Sequence, residues 1–188
     1  MSVYESILAR RTIRKFKQEK IKRQTLEKLV NAARVAPSAQ NLQPLKYIIV
    51  DQAEKVKDIF ENVRWAGFIA PEGTPKKGEE PTAFIAVLVD TSISTSGWEF
   101  DLGAAVQNLI LTAWEEGIGA CWMGAINKPK ITEILSIPEH LKLIHVIALG
   151  YIGEQPVSED EGGSVRYYKD EQGTLHVPKR KLRDVILS

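Results

Sequence analysis

The chain has 188 residues, of which 44% are hydrophobic and 26% are charged, and this composition is ordinary for one globular domain. A net charge of +1 provides no overall field for nucleic acid or an anionic membrane, so any anion-binding site must be local. The single cysteine, Cys121, excludes an intramolecular disulfide, and no apolar run is long enough to span a membrane. We therefore expect one domain over residues 1–188 in a soluble, cytoplasmic protein that has neither nucleic acid nor membrane as a partner.

The first predicted element is an amphipathic helix that leads into a basic segment. Its apolar positions, which recur at helical spacing, are Val3, Ile7 and Leu8. Arg10 and Arg11 are expected in the last turn, where cations complement the negative end of the helix dipole. Because Thr12 and Ile13 are β-branched, extended chain should follow, with Arg10, Thr12 and Arg14 on one side and Ile13 turned inward. That side would suit a phosphate with a polar, sugar-like tail, whereas the alternative is a solvated basic face.

The next elements alternate between helix and strand. Thr25 is a predicted N-cap for a helix that stops before Pro37. The further elements in this half are a strand over residues 45–50, a helix over 53–63, a loop over 70–81 and a buried strand over 84–89.

A long apolar helix is predicted in the centre of the chain. Ser96 and Glu99 fit a capping box that would begin it, and Gly117 and Gly119 would end it after Glu116. At 1.5 Å per residue the helix would be about 30 Å long, and it is apolar on nearly every face. Such a helix is costly to leave exposed in a small monomer, so both of its sides should be buried.

The C-terminal third contains two more predicted strands and a polar excursion. The strands are expected over residues 120–126 and 143–152, with a short helix over 131–135 between them. From Gly153 to Thr174 the chain is polar and glycine-rich, and a basic run over 179–181 follows. The sum is an α+β domain with a C-terminal excursion over residues 153–188.

Two further segments suit a flat heterocyclic ligand. Between Pro37 and Pro44, a loop stiffened by both prolines offers one hydroxyl and three side-chain amides, which donate and accept hydrogen bonds. The alternative is an ordinary connector between helix and strand. Residues 117–126 are rich in glycine and alanine, so a flat ligand could approach their backbone closely. This second segment is not a dinucleotide fingerprint, because its glycines follow a helix instead of opening one.

Four residues that often carry chemistry are expected to carry none here. Cys121 lies in an apolar strand with no histidine near it in sequence, so it should be a small core residue and not a nucleophile. His140, His145 and His176 lack the spacing of metal ligands, and no metal site is predicted.

Taken together, these segments resemble the FMN-dependent nitroreductase family. The resemblance rests on four motifs in order: Arg10-Arg11-Thr12-Ile13-Arg14-Lys15-Phe16, the loop 36–44, the Gly-Ala-Ala-Val-Gln-Asn helix (103–108) leading into Gly-Ile-Gly-Ala-Cys-Trp-Met-Gly (117–124), and the basic run Lys179-Arg180-Lys181. The likeness covers nearly the whole chain, which is similar to the shorter members of the family. Residues 65–81 follow no shared motif.

The resemblance implies a fold, an assembly and a cofactor. The expected fold is an α+β, nitroreductase-like α/β/α sandwich with a central, mostly antiparallel sheet. Two copies would form an intertwined homodimer around their central helices, with two FMN sites at the subunit interface. The excursion over residues 153–188 would contact the partner subunit and return to the FMN phosphate.

The resemblance also assigns residues to the flavin by position. Those that would hold the phosphate, the ribityl chain and the pyrimidine edge are Arg10, Arg11, Thr12 and Arg14. Those that would come from the partner subunit are Pro37, Ser38 and Ala39, with Asn41 and Gln43 near the ring. Those whose backbone would face flavin N5 are Trp122, Met123 and Gly124, and Arg180 would return to the phosphate. No catalytic side chain is implied, because flavin N5 carries the chemistry.

The implied activity is that of an oxidoreductase that takes hydride from NADH or NADPH. It would reduce small, flat acceptors such as nitroaromatics or quinones by a ping-pong mechanism. One alternative is a flavin-binding sensor or carrier without turnover. A third hypothesis, from the residues alone, is a basic patch of Arg10, Arg11 and Arg14 that binds RNA or acidic partners.

Overall fold

A central antiparallel sheet organises residues 2–187, which are the residues that the computed structural model describes. Its strands are β1 (Phe16–Lys17), β2 (Leu45–Val50), β3 (Ala83–Asp90), β4 (Ile118–Met123) and β5 (Leu141–Ile152). Strand β3 pairs with β2 and β5, and β5 also pairs with β1 and β4, every pair being antiparallel. Every residue of β3 is buried. The continuous apolar run predicted over 84–89 therefore belongs to a strand that is covered on both faces.

Helices cover both faces of this sheet, and side chains that alternate along each strand enter two separate cores. The helices are α1 (Val3–Ala9), α2 (Arg23–Arg34), α3 (Ala53–Phe60), α4 (Trp98–Glu115), α5 (Lys128–Ile134) and α6 (Leu182–Val185). The core beneath α2 and α4 includes the fully buried Leu109 and Ile85. The core beneath α3 and α5 includes the fully buried Ile59 and Phe84. No helix in the described part of the chain is long and apolar enough to cross a membrane.

Two predicted N-caps are wrong. Helix α2 follows Lys22, so Thr25 lies inside its first turn. Helix α4 follows Gly97, whose φ of 80° is left-handed, and no side chain caps the helix there, so the predicted box of Ser96 and Glu99 does not form. Residue type gives a propensity to cap, whereas the direction in which the chain enters the helix decides which residue is the cap.

Other predicted boundaries also differ from the structure, and two of them concern the candidate site. Helix α1 ends before Arg10, which is its C-cap, so neither Arg10 nor Arg11 lies in the last turn. Strand β4 ends at Met123 and not at Ile126, because Ile126 leaves the sheet and forms an isolated bridge with Val63. The basic residues are therefore presented by extended chain and not by the end of a helix.

The central helix α4 is buried along one side within a single chain. Its buried residues include Leu109, whereas Phe100 is 84% exposed and Trp98 and Trp114 are half-buried. Burial of the open side by a partner, which the apolar sequence led us to expect, stays a prediction.

The polar excursion folds into a small sheet of its own. Strands β6 (Val157–Asp160) and β7 (Tyr168–Lys169) each pair with β8 (Leu175–Lys179), the first in parallel and the second antiparallel. His176, in β8, links β6 to the residue that follows β7, because its Nδ1 lies 2.9 Å from Glu159 and its Nε2 lies 3.2 Å from Asp170. The Tyr168 ring stacks on the imidazole with a centroid distance of 4.8 Å.

The titration of this histidine cluster follows from its hydrogen bonds. The bond to Glu159, followed by the bond to Asp170, raises the pKa of His176. The same bond to His176 lowers the pKa of Glu159. Desolvation acts to raise the pKa of Asp170, but hydrogen bonds from His176 and from the Thr174 N–H lower it overall.

Candidate functional site

The basic segment (residues 10–14) runs beside strand β4. Ile13 donates its backbone N–H to the Ala120 carbonyl at 3.1 Å, and Thr12 forms a parallel bridge with the same residue. Ile13 is fully buried, so its predicted inward turn is confirmed. A Cβ at Gly119 would lie 2.6 Å from the Ile13 side chain, so glycine at this position allows the segment to approach the strand.

The three arginines of the basic segment have buried nitrogens without partners. In Arg10, Arg11 and Arg14 the Nε atom is inaccessible to solvent and makes no hydrogen bond in the described structure. Burial lowers the pKa of Arg10, and the neighbouring charge of Arg11 lowers it further. Burial also lowers the pKa of Arg11. Desolvated cations close together are unfavourable unless an anion joins them, so this segment is a candidate anion site.

Arg14 is held by groups from the C-terminal part of the chain. A Glu154 carboxylate oxygen accepts the backbone N–H groups of Arg14 and Lys15, the latter at 3.2 Å. The Arg14 guanidinium lies 5.2 Å from the centroid of the Tyr167 ring, which is within cation–π range. The sequence did not point to Glu154 or Tyr167, because both belong to the excursion, where no local pattern indicates an arginine partner.

Cys121 is a small core residue that lies next to the basic segment. The residue is 5% exposed. Burial raises the pKa of its thiol to about 11, although the charge of Arg14 acts in the opposite direction. A thiol with this pKa stays protonated at neutral pH, so the prediction of a small core residue is confirmed.

The amide loop (residues 37–43) is fixed by a buried carboxylate. Asp101, in the first turn of α4, is 6% exposed and accepts hydrogen bonds from Ser38 Oγ at 2.6 Å and from the Ala39 N–H at 3.0 Å. Ser38 Oγ in turn accepts the Gln43 N–H at 2.9 Å. Three side-chain amides of the loop lie on residues with positive φ, which are Gln40 (51°), Asn41 (57°) and Gln43 (53°). Asp101 therefore stabilises a backbone that these residues rarely adopt, and none of the sequence motifs had indicated this role.

The amide loop and the basic segment form separate surfaces within one chain. The loop lines a cavity of about 540 Å³ together with residues of α2, α4 and β2, and none of the three arginines of the basic segment lines it. Burial raises the pKa of Tyr47 in this cavity to about 12. The exposed residues of the loop are Pro37, Ala39, Gln40, Asn41, Leu42 and Gln43. These side chains are available to a second molecule.

Trp122 and Gly124 present an aromatic ring and a bare backbone at the end of β4. Trp122 is 40% exposed and donates its indole N–H to His145 Nδ1 at 2.8 Å. Burial and the charge of Lys128 lower the pKa of His145, which keeps its ring neutral. A Cβ at Gly124 would lie 2.9 Å from His145 Nε2. The Met123 side chain is buried, so a ligand here would meet the Trp122 ring and the exposed Gly124.

The remaining predicted site residue is Arg180. It follows β8 and is exposed, and its return to a phosphate stays a prediction. Among residues 2–187, no three His, Cys, Asp or Glu side chains are arranged to hold a metal ion.

Comparison with known proteins agrees with the fold and with the family that the motifs indicated. A family model described as the Nitroreductase family matches residues 7–151. The chain belongs to the nitroreductase family. Both the resemblance stated from the motifs and the predicted α+β fold are therefore confirmed.

Named relatives of this nitroreductase-family chain cover most of its length. A Methanothermobacter thermautotrophicus protein named "Putative NADH dehydrogenase/NAD(P)H nitroreductase" is 34% identical over 85% of this chain and 82% of its own. An FMN-dependent nitroreductase from Clostridium difficile R20291 has a TM-score of 0.69 at 25% identity, covering 85% of this chain and 92% of its own. A Desulfovibrio desulfuricans protein crystallised with FMN has a TM-score of 0.76 over 100% of this chain and 96% of its own, and at 21% identity it shows the fold alone. These names support an oxidoreductase of the nitroreductase type.

Proposed function

We propose that this nitroreductase-family chain is a homodimeric, FMN-dependent oxidoreductase. It would take hydride from NADH or NADPH and reduce small, flat acceptors such as nitroaromatics or quinones. The observation that carries the proposal is the set of three buried arginine Nε atoms without partners in the basic segment. A phosphate monoester has close to two negative charges and three acceptor oxygens, so the FMN phosphate would satisfy these donors.

The other residues around β4 fit the rest of an FMN molecule. Thr12 offers a hydroxyl to the ribityl chain, while the three arginines would hold the phosphate and the pyrimidine edge. A flat ring system could lie against the exposed Gly124 and the ring of Trp122. Arg180 would reach the phosphate from the end of the small C-terminal sheet.

The amide loop would complete the flavin site of a partner subunit. Within its own chain it lines a different cavity from the basic segment. Pro37, Ser38 and Ala39 would approach the partner's flavin, with Asn41 and Gln43 near the ring. Because Asp101 fixes Ser38 and the Ala39 N–H in place, the loop is already shaped for such a contact.

Exposed apolar side chains support the homodimer. On α4, Phe100 is 84% exposed, and on α6, Leu182 is 72% exposed. The exposed apolar residues of α1 are Val3, Tyr4, Ile7 and Leu8. Surface of this kind is costly in water and is typical of an interface. Phe100→Glu should yield a monomer without flavin, whereas Leu109→Glu would disrupt the chain's own core, where Leu109 is fully buried.

When bound, FMN supplies the redox chemistry that protein side chains lack. The chain's own contribution would be electrostatic. A guanidinium of Arg10 or Arg14 would stabilise negative charge at the pyrimidine edge, and a backbone N–H near Met123 or Gly124 would donate to N5. No side-chain acid, base or nucleophile is required, which fits the protonated thiol of Cys121.

The test is spectroscopic and uses the purified full-length protein. Flavin absorption that is bleached by NADH or NADPH without oxygen, and that returns on adding a quinone or nitroaromatic, supports the proposal. Parallel initial-rate lines would agree with the ping-pong mechanism, whereas intersecting lines would contradict it. Flavin absorption without donor-dependent bleaching would favour the sensor or carrier instead. A colourless protein that fails to bind added FMN would contradict flavin binding altogether. Light scattering that shows a fully flavinylated monomer would contradict the homodimer.

A further inference from the structure

A cavity of about 510 Å³ lies between residues 61–64 and residues 124–127. It shares no lining residue with the cavity beside the amide loop. Its wall includes Gly124, where the proposed function places the N5 edge of the flavin. We propose that this cavity receives the electron acceptor and that Arg64 selects acceptors with an anionic substituent, such as a carboxylate or a sulfonate. The inference rests on the proposed function and names the substrate class of the same site.

Backbone pairing fixes the position of Arg64 beside Gly124. The Arg64 N–H donates to the Ala125 carbonyl at 2.9 Å. This bond flanks an isolated antiparallel bridge between Val63 and Ile126. In antiparallel pairing the residues next to a bridge also face each other, so Arg64 lies opposite Ala125, the residue after Gly124.

The Arg64 side chain faces solvent, because the residues on either side of it contribute to the core. Trp65 is 5% exposed, and its ring centroid lies 5.7 Å from that of Phe60. Val63 is half-buried and packs against the same core. Side chains alternate along extended chain, which turns Arg64 away from the core. Both Arg64 and Gly124 are exposed, so a cation on a fixed backbone lies beside the open end of β4.

The charges around the cavity favour an anion. In the described part of the chain, no carboxylate oxygen lies within 4.0 Å of the Arg64 guanidinium. Glu61 also lines the cavity, but its carboxylate lies 3.9 Å from Lys57 Nζ, which offsets its charge. A second cation, Lys128, is close enough that its charge adds to the effect of burial in lowering the pKa of His145.

The position of Arg64 favours an acceptor over the nicotinamide nucleotide as the source of the anion. In an aromatic carboxylate or sulfonate the charge is joined directly to the ring, whereas a ribose separates the phosphates of NADH and NADPH from the nicotinamide. Arg64 is one residue pair away from Gly124, and its charge therefore suits a substituent close to the reacting ring. A guanidinium fork can hold both oxygens of a carboxylate, and the cavity volume is typical of a small-molecule site.

The experiment compares two acceptors of similar shape that differ in charge. At neutral pH para-nitrobenzoate is an anion, whereas para-nitrobenzamide is neutral. Each is titrated into the oxidised, FMN-loaded, full-length protein without NADH or NADPH, and its Kd is obtained from the change in flavin absorption. KM for each acceptor and for NADPH is then measured by steady-state kinetics, and FMN affinity is measured on protein stripped of flavin.

Three variants are compared with wild type. Arg64→Gln removes the charge, and Arg64→Lys keeps it without the fork. Arg23→Gln is the matched control, because Arg23 is exposed on α2, pairs with Glu27 at 3.0 Å and does not line the cavity. We expect Arg64→Gln to weaken para-nitrobenzoate about threefold to tenfold, and para-nitrobenzamide and FMN less than about twofold. Arg64→Lys should recover part of the loss, and Arg23→Gln should stay within about twofold of wild type for every ligand.

The ratio of the two acceptor affinities decides the inference. It is overturned if wild type binds para-nitrobenzoate no more tightly than para-nitrobenzamide, or if the ratio is unchanged in Arg64→Gln. A raised KM for NADPH with unchanged acceptor affinities would assign the cation to the donor, and an equal loss of FMN affinity would assign it to the flavin. Either result overturns the inference.

A measurement on wild type serves if Arg64→Gln does not fold. Because Arg64 is exposed, added sodium chloride should screen its charge and reduce the preference for para-nitrobenzoate, and a preference that is independent of salt would overturn the inference. A wild-type protein that binds no FMN would instead contradict the proposed function itself, so the two failures are distinguishable.

Discussion

Replacing Asp101 by alanine is expected to destabilise the protein by about 2–4 kcal/mol. The carboxylate is 6% exposed, so solvent screens little of its interaction with Ser38 Oγ and the Ala39 N–H. Hydrogen bonds to a charged group contribute about 1.5–3 kcal/mol each, and we take about two-thirds of the sum for the two bonds because water can reach the vacated donors. Asp101→Asn keeps the shape and one acceptor oxygen, so the free energy of unfolding should fall by about half as much as in Asp101→Ala.

The matched control is Glu99→Ala, two positions earlier on α4. Glu99 is exposed in the same first helical turn, so its removal costs only the interaction with the helix dipole, about 0.3–1 kcal/mol. The free energy of unfolding is measured by urea denaturation at one fixed protein concentration, and hydrogen exchange of residues 39–43 reports local opening. If Asp101→Ala and Glu99→Ala differ by less than about 0.5 kcal/mol, Asp101 does not fix the amide loop as we infer.

Substitutions at three positions test the site, and a substitution at a fourth tests the small C-terminal sheet. Arg14→Ala should weaken FMN binding by roughly tenfold to a hundredfold in a fluorescence titration, and Arg14→Lys should recover only part because the fork geometry is lost; undiminished affinity would refute the assignment. Gly119→Ala should lower the free energy of unfolding by about 1–3 kcal/mol, because its Cβ would lie 2.6 Å from Ile13, and an unchanged urea midpoint would mean that the basic segment moves aside freely. Cys121→Ala should keep near-normal turnover, so a loss of more than about a hundredfold in kcat with flavin bound would indicate different chemistry. His176 has a raised pKa, and its partners Glu159 and Asp170 have lowered pKa values. Their contribution to the stability of the small sheet is therefore largest between about pH 4.5 and 6.5, and it is lost as pH rises through the raised histidine pKa. Limited proteolysis within residues 161–166 should therefore be faster at about pH 8.5 than at about pH 6, with His176→Gln removing the difference; equal pH dependence in both proteins would exclude the histidine as its source.

Much of the fold could be predicted because its information is local. The apolar run over 84–89 and the β-branched run over 45–50 correspond to β3 and β2, since residues buried on a sheet face repeat along one strand. The long apolar helix predicted to end after Glu116 is α4, whose apolar pattern is long enough to distinguish it from a strand. The capping residues failed, because Gly97 and Lys22 occupy positions that the direction of the incoming chain decides.

The sequence indicated only part of the candidate site. The basic segment and the amide loop have unusual local composition, and the structure places them beside β4 and α4, respectively. Glu154 and Tyr167 carry no such signal, since a glutamate and a tyrosine in a polar excursion look like ordinary surface residues. Asp101 had a faint signal, as an acidic residue in the first turn of an otherwise apolar helix.

By itself, the sequence determined the family, the α+β class and the clustering of three arginines within residues 10–14. These features depend on residue type and on spacings of two to four positions, which a strand or a helix converts directly into a shared face. Only the tertiary structure decided which distant groups meet: Ser38 with Asp101, 63 positions away, and Arg14 with Tyr167. A contact between distant residues is set by how whole elements pack, and no pattern along either segment encodes its partner. The buried, unpartnered Nε atoms of the three arginines and the lowered pKa of Arg10 and Arg11 arise at that level and not in the sequence.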